Sequence, residues 1–286
     1  MRRTLARPAS RLAIAFAFAL CGPAFAVEVR SDLPGLRIAA SDTLPPPTDP
    51  QAFGPGDFCA NLAIAPKTAA GKQAARLGWK VTSEETRAGY TAVGIFSRGG
   101  DGTSGTCLVE DGNVVLFRGA QVVAIVYEPR RGAGEAGAGV IGGVVHALAP
   151  DRLRISDFTP VGFEHADLLL GESSIAVVPV AASETACGGL VLPNLRGMRV
   201  PDARRVLAPH GWAPAGDASL TADAPLDAAA DFRKQGLTEY ETCSGTGYGF
   251  CALRYRHPTG ATLSVTTVGD DGSVSGYTVE CPGGRR

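Results

Sequence analysis

Four histidines, at positions 146, 165, 210 and 257, are the residues best suited to acid–base or metal chemistry in this chain. None of them has a His-x-x-x-His partner, and no Cys-x-x-Cys pair occurs. A metal site needs several ligands converging on one point, so the sequence assigns no metal and no cofactor. No Gly-x-Ser-x-Gly elbow is present to raise a nucleophilic serine. Ser104 and Ser244 sit in matching Ser-Gly-Thr turns with no base beside them, and they read as turn formers. Gly132-Ala133-Gly134-Glu135-Ala136-Gly137 matches a dinucleotide fingerprint. However, Pro129, Arg130 and Arg131 interrupt its approach, and glycines continue where a helix should start. No acid follows roughly 20 residues on in a second parallel strand, so the stretch reads as a linker. Asp270, Asp271 and Gly272 lack calcium-loop spacing and read as a hairpin turn. The alternative to a binding role is a periplasmic hydrolase. Its centre would lie near His146, Asp151, Asp157 or His165.

The stretch from Cys243 to Cys251 offers a different chemistry. Two cysteines bracket a glycine-rich turn that carries Tyr248 and Phe250. Exposed aromatics on a rigid turn are the residues an interface uses. The strand that follows alternates. Cys251, Leu253 and Tyr255 share one face, while Arg254 and Arg256 share the other, within cross-strand reach of Glu239 and Glu241. The candidate binding residues are therefore Ser244, Thr246, Tyr248, Phe250, Arg254 and Arg256.

Residues 1–26 have the parts of a secretory signal: Arg2, Arg3, Arg7 and Arg11, an apolar run over 12–20, and Ala24-Phe25-Ala26 as a small-x-small cleavage site. The mature chain is expected to start at Val27. Leu20 is too bulky for a lipoprotein reading of Cys21, and basic pairs such as Arg2-Arg3 are ordinary in signals. No later segment offers about 20 uninterrupted apolar residues, so no transmembrane span is expected. Without the signal, the 27 Lys and Arg fall to 23 against 28 acids, a net charge of −5. An acidic chain without a basic run argues against nucleic acid and against an anionic membrane surface. Six cysteines remain, at 59, 107, 187, 243, 251 and 281. An even number in an exported chain reads as disulfides. Periplasmic or secreted is the expected location.

The elements that would position these residues fall into two series. Residues 27–57, with Leu44-Pro45-Pro46-Pro47 and Pro50, read as a proline-rich tether. Over 58–128, Thr68 caps a helix with Ala70, Ala74 and Leu77 on one face, Gly78 stops it, and Trp79 follows. Another helical turn fits 82–87, then strands at 90–97, 106–110, 114–118 and 121–128. Residues 129–186 form a glycine-rich linker and a connector of undecided fold, with an apolar run over 140–148 and possible strands at 155–161 and 174–180. Over 187–282, Pro201 opens a helix that Gly211-Trp212 ends. Pro225 opens a second helix, with Leu226, Ala229, Ala230 and Phe232 buried. Strands follow at 237–243, 250–257, 261–268 and 274–281. The series match in order, with Cys59, Gly78-Trp79 and Cys107 corresponding to Cys187, Gly211-Trp212 and Cys251. The fold class expected is α+β: two tandem modules, each a helix or helix-loop-helix followed by a four-stranded antiparallel sheet.

That order of parts, exported and disulfide-bonded, resembles the β-lactamase-inhibitory-protein-like fold over most of the mature chain. The resemblance implies a sheet whose open face grips another protein. Separately, Leu192, Pro193, Asn194, Leu195, Arg196, Gly197 and Met198, with Ala203, Leu207 and Gly211, resemble the helix start of a PASTA module, a cell-wall-binding unit. That likeness ends at Trp212.

Cys59 and Cys107 are expected to pair. Repeat logic pairs Cys187 with Cys251 and leaves Cys243 with Cys281. The alternative, Cys243–Cys251 with Cys187–Cys281, suits a meander but needs a bulge to bring the hairpin cysteines to one face. We favour the repeat-based set. The function expected is a non-catalytic, exported envelope protein that binds another protein or an envelope component.

Overall fold

Short apolar strands between residues 80 and 178, with two more from residues 28–40, build two sheets. The computed structural model describes residues 27–47, 60, 62–101, 107–129, 144–156, 164–216, 229–244, 248–269 and 271–284. In chain order, β1 (Glu28–Ser31) and β2 (Arg37–Ala40) precede α1 (Ala69–Arg76). Then come β3 (Lys80–Arg87), β4 (Tyr90–Phe96), β5 (Arg98–Asp101), β6 (Cys107–Glu110), β7 (Asn113–Arg118) and β8 (Gln121–Tyr127). β9 (Val144–Ala149), β10 (Arg152–Ser156), β11 (Glu164–Leu170) and β12 (Ser174–Val178) follow.

The strand orders are β1-β12-β11-β10-β9 and β2-β8-β7-β4-β3. The two sheets face each other across one apolar layer. Tyr90, Ala92, Leu116 and Val126 from one side meet Leu153, Ile155, Leu168 and Val177 from the other. At one flank β3 runs beside β9, where Ser83 Oγ accepts from Val145 N at 2.8 Å. At the other flank the chain passes directly from β1, parallel to β12, into β2, antiparallel to β8. Tyr90 OH also crosses between the sheets to donate to Gly171 O at 3.1 Å.

The second of these sheets is covered on both faces, which is why β4 and β7 read as nearly unbroken apolar runs. Val93, Ile95, Val115 and Phe117 turn outward to meet Ala70, Ala74, Trp79 and Leu44. Thr68 Oγ1 accepts from Gly71 N at 3.0 Å and caps α1. Gly71 serves the cap through a backbone N–H that any non-proline residue would offer, and its missing Cβ is what the contact with Glu84 uses. A Cβ there would fall 2.1 Å from Glu84 Oε1, whose carboxylate accepts from the Lys67 and Thr68 amides. Leu77, expected in the apolar face, is instead the exposed C-cap.

A smaller unit follows. β13 (Ser183–Ala186) and β14 (Leu190–Pro193) form a hairpin, then come α2 (Val200–Leu207), β15 (Ala213–Pro214), α3 (Ala230–Lys234), β16 (Tyr240–Cys243), β17 (Cys251–Arg256), β18 (Thr262–Val268) and β19 (Ser273–Glu280). The sheet runs β15-β17-β18-β19, with β16 also pairing β17. Val200, Ala203 and Leu207 of α2, with Trp212, pack on Leu253, Tyr255, Leu263 and Val265.

The fold class expected from the sequence is corrected. The protein is mostly β, and it is not a pair of α+β modules built on helix-loop-helix layers. Residues 82–87, expected to be helical, lie in β3, where they pair along β4 from Ser83 opposite Gly94 to Arg87 opposite Tyr90. The undecided stretch 140–183 supplies β9 to β12, four of the five strands of one sheet. The expected second helix of the later unit is the five-residue α3, and Pro225 and Leu226 lie outside the described residues. Residues expected to be tether contain β1 and β2. Among the described residues, no helix is long and apolar enough to cross a membrane.

Candidate functional site

The hairpin between β16 and β17 is built as a closed loop. Tyr240 pairs Leu253 and Cys243 pairs Cys251, with a register shift between Tyr240 and Thr242. Glu241 is the extra residue. It turns Cys243 to the side of Cys251, and the two form a disulfide with a Cα–Cα distance of 4.0 Å. Cys187 pairs with Cys281. The favoured repeat-based pairing is thereby corrected to the alternative set, because this bulge supplies the change of face that the hairpin pair needs. Cys107 is also disulfide-bonded. Cys59 lies outside the described residues.

Inside the loop, Ser244 N donates to Phe250 O at 2.7 Å, and Ser244 Oγ accepts from Phe250 N at 3.1 Å. Gly269 N donates to Tyr248 O at 2.8 Å, tying the tip to the turn between β18 and β19. Tyr248 is 36% exposed and Phe250 is half-buried, with ring centroids 6.0 Å apart. Thr246 lies outside the described residues. Arg254 stands on the face of the sheet away from α2, and its Nε is 2.6 Å from Glu241 Oε1. Arg256 is exposed further along β17, at the end that pairs with β15. The six expected binding residues therefore divide. Ser244, Tyr248 and Phe250 share the tip, while Arg254 and Arg256 belong to the polar open face with Ser264, Thr266 and Thr278. Glu239 does not join that face. It is fully buried, held by Arg204 and by Tyr255 OH at 3.0 Å.

The other polar concentration lies where the smaller unit meets the outer face of β10 and β11. Arg154, with 2% of its side chain exposed, donates Nε to Asp167 Oδ1 at 2.8 Å and Nη1 to Glu164 Oε2 at 2.9 Å. It also pairs with Glu184 of β13. Arg196, after β14, reaches Glu164 Oε1 at 2.9 Å, Ser275 O and the face of Tyr277. Arg152 approaches Asp167 at 3.8 Å. Three guanidinium groups thus meet three carboxylates, a balance that removes the cost of leaving a buried charge unpaired. His146 lies opposite Arg154 in the ladder. Burial lowers its pKa below the usual 6.5, Arg154 and Arg196 act in the same direction, and Glu164 and Glu184 oppose them. Burial, with Glu164 and Glu184 nearby, pushes Tyr277 up to about 12.

Of the residues named from sequence for a hydrolase, His165 is half-buried in β11. His146 joins the cluster, whereas Asp151 is exposed in the turn between β9 and β10. Asp157 lies outside the described residues. The nearest serine on this face of β10, Ser156, is buried and makes no hydrogen bond through its hydroxyl. Among the described residues no group of three His, Cys, Asp or Glu is placed to hold a metal ion. Sequence reasoning missed Arg154, Glu164, Asp167, Glu184 and Arg196. The available signal was a charge flanked by apolar residues within a strand: Arg154 between Leu153 and Ile155, and Asp167 between Ala166 and Leu168.

No family model, no curated protein and no solved structure matches the chain.

Proposed function

We propose that the protein is exported to the periplasm or beyond and acts there as a non-catalytic binding protein. Its partner is another protein, gripped by the hairpin tip and the adjoining open face of the β17–β18–β19 sheet. The observation that carries this reading is the tip itself. Tyr248 and Phe250 sit side by side on a turn closed by Cys243–Cys251 and pinned by the Gly269–Tyr248 hydrogen bond. A rigid aromatic anchor loses little conformational entropy on binding, which is how such residues come to dominate interfaces. The signal-like residues 1–26 and the disulfides support an oxidising destination. The carboxylates beneath the smaller unit are each engaged by arginine, which suits a structural joint more than a general base.

The test is affinity capture from periplasmic extract with the mature chain as bait, beside a Tyr248→Ala/Phe250→Ala double variant. The expected result is a retained partner that the double variant loses. Retention indifferent to the two changes, or no retained protein, overturns the site. Recovery of the chain from the periplasmic fraction with Val27 as its first residue tests the export half.

A further inference from the structure

Residues 44–47 lie against Trp79 on the outer face of the sheet formed by β2, β8, β7, β4 and β3. Leu44, Pro45 and Pro46 each precede a proline, which favours the extended region, and the rings fix φ, so the run favours the polyproline II shape. Trp79 is 5% exposed, and its indole N–H donates to Pro45 O at 2.8 Å. Leu44 is buried beside it, while Pro45 and Pro46 are exposed. An aromatic groove offering a donor to the carbonyl of an extended chain is the way proline-rich segments are recognised, since such a chain arrives with its carbonyls unused. The resident segment fills this groove incompletely. A cavity of about 280 Å³ remains, lined by the segment itself, by Trp79, Ile95 and Ile125, and by Asp111 and Asn113. Among the described residues, one hydrogen bond from Trp79 and the burial of Leu44 hold the segment, and it belongs to no helix or strand.

We propose that this groove is a receptor for a proline-rich segment of a partner protein, with residues 44–47 as its occupant in cis. The partner segment carries an apolar side chain that enters the cavity its own segment leaves open, and it takes over the indole hydrogen bond. The resident segment lowers the apparent affinity by the fraction of time the groove is closed. This surface is separate from the hairpin tip, and its occupancy does not depend on what the tip binds.

The chain has two tryptophans, so its two indole N–H resonances report the groove and an internal control. Trp212 donates to Val191 O in the smaller unit, and a Trp79→Phe variant assigns the signals. The probe is a synthetic peptide of residues 41–47, compared with one in which positions 45–47 are alanine. The proline peptide is expected to shift the Trp79 signal of the full chain and leave Trp212 unmoved. A Pro45→Gly chain, with a looser resident segment, is expected to bind it about tenfold more tightly. The alanine peptide is expected to bind at least about tenfold more weakly, having lost its preformed extended shape. If Pro45→Gly moves the Trp212 signal, Leu44→Ala replaces it as the loosened chain. A Trp79 signal that stays fixed up to millimolar peptide in both the intact and the loosened chain overturns the proposal, as does equal binding of the two peptides.

Discussion

Gly78-Trp79 and Gly211-Trp212 are the same dipeptide used twice, in two different settings. Both glycines are left-handed, at φ 99° and 83°, and both follow a helical segment. Both tryptophans are buried, and both indoles donate to a backbone carbonyl, Pro45 O at 2.8 Å and Val191 O at 3.3 Å. The layers around them differ. Trp79 lies on a sheet whose opposite face packs on a second five-stranded sheet. Trp212 lies under a sheet whose other face is open and polar. A helix stop followed by a tryptophan thus specifies local geometry and leaves the number of layers open. A unit with one core layer should lean harder on each contact within it.

The largest expected effect tests that asymmetry directly. Trp212→Ala should cost about 5 kcal/mol and Trp79→Ala about 3 kcal/mol, the two ends of the range for such truncations. Urea unfolding followed by circular dichroism reads both, and a greater loss at Trp79 breaks the comparison. The staples of the single-layer unit come next. Removing Cys187–Cys281, which spans 94 residues, should cost about 4.7 kcal/mol. Removing Cys243–Cys251, which spans 8, should cost about 2.6 kcal/mol on loop entropy alone. Paired serine variants measured under the same conditions give the ratio, and equal losses would argue that loop length is not what the bridges act on. Arg154→Met joins the two regions. It leaves Asp167 and Glu164 facing each other without their shared cation, a loss of about 3–5 kcal/mol. Asp167→Asn should cost less, because Arg154 keeps Glu164 and Glu184 as partners and the new amide oxygen can still accept from it. A fully tolerated Arg154→Met would show that the units are not joined through this cluster.

The smallest effect is a pH dependence. The folded state depresses the pKa of His146, so its stabilising contribution is complete above the ordinary value of 6.5 and is lost as pH falls through the folded value. One such group contributes a slope of at most about 1.4 kcal/mol per pH unit. The difference between the intact chain and His146→Gln, unfolded from pH 7.5 to 5, isolates it. A difference that grows toward acid with the opposite sign would mean the imidazolium is welcomed by Glu164 and Glu184.

Much of the smaller unit was legible in sequence. Strands β16 to β19 follow their alternation, Pro201 opens α2, and Cys251, Leu253 and Tyr255 share the core face as their spacing requires. Strand β4 and strands β6 to β8 were equally plain. What escaped reading depends on partners distant in the chain. β1 pairs in parallel with β12, Glu28 opposite Ser174, and no local pattern announces such a partner. β10 carries arginines at 152 and 154 between apolar residues, which looks like a solvated strand until Asp167, Glu164 and Glu184 are seen around it. The disulfide set turned on a single extra residue, Glu241, and a bulge of that kind leaves no mark in composition. At the tip, Ser244 bonds to Phe250 through both its amide and its hydroxyl.

The N-terminal arm has a consequence for the order of events in time. Its first strand can be seated only when β12 exists, and its second only when β8 does. Residues that emerge first therefore wait for partners that emerge much later, and high contact order of this kind makes closure slow. Until Glu28 to Ser31 are seated, the sheet of β9 to β12 has an open edge along β12. The chain stays threadable over that interval, with the seam at β1 as the last part of the double-layered unit to close.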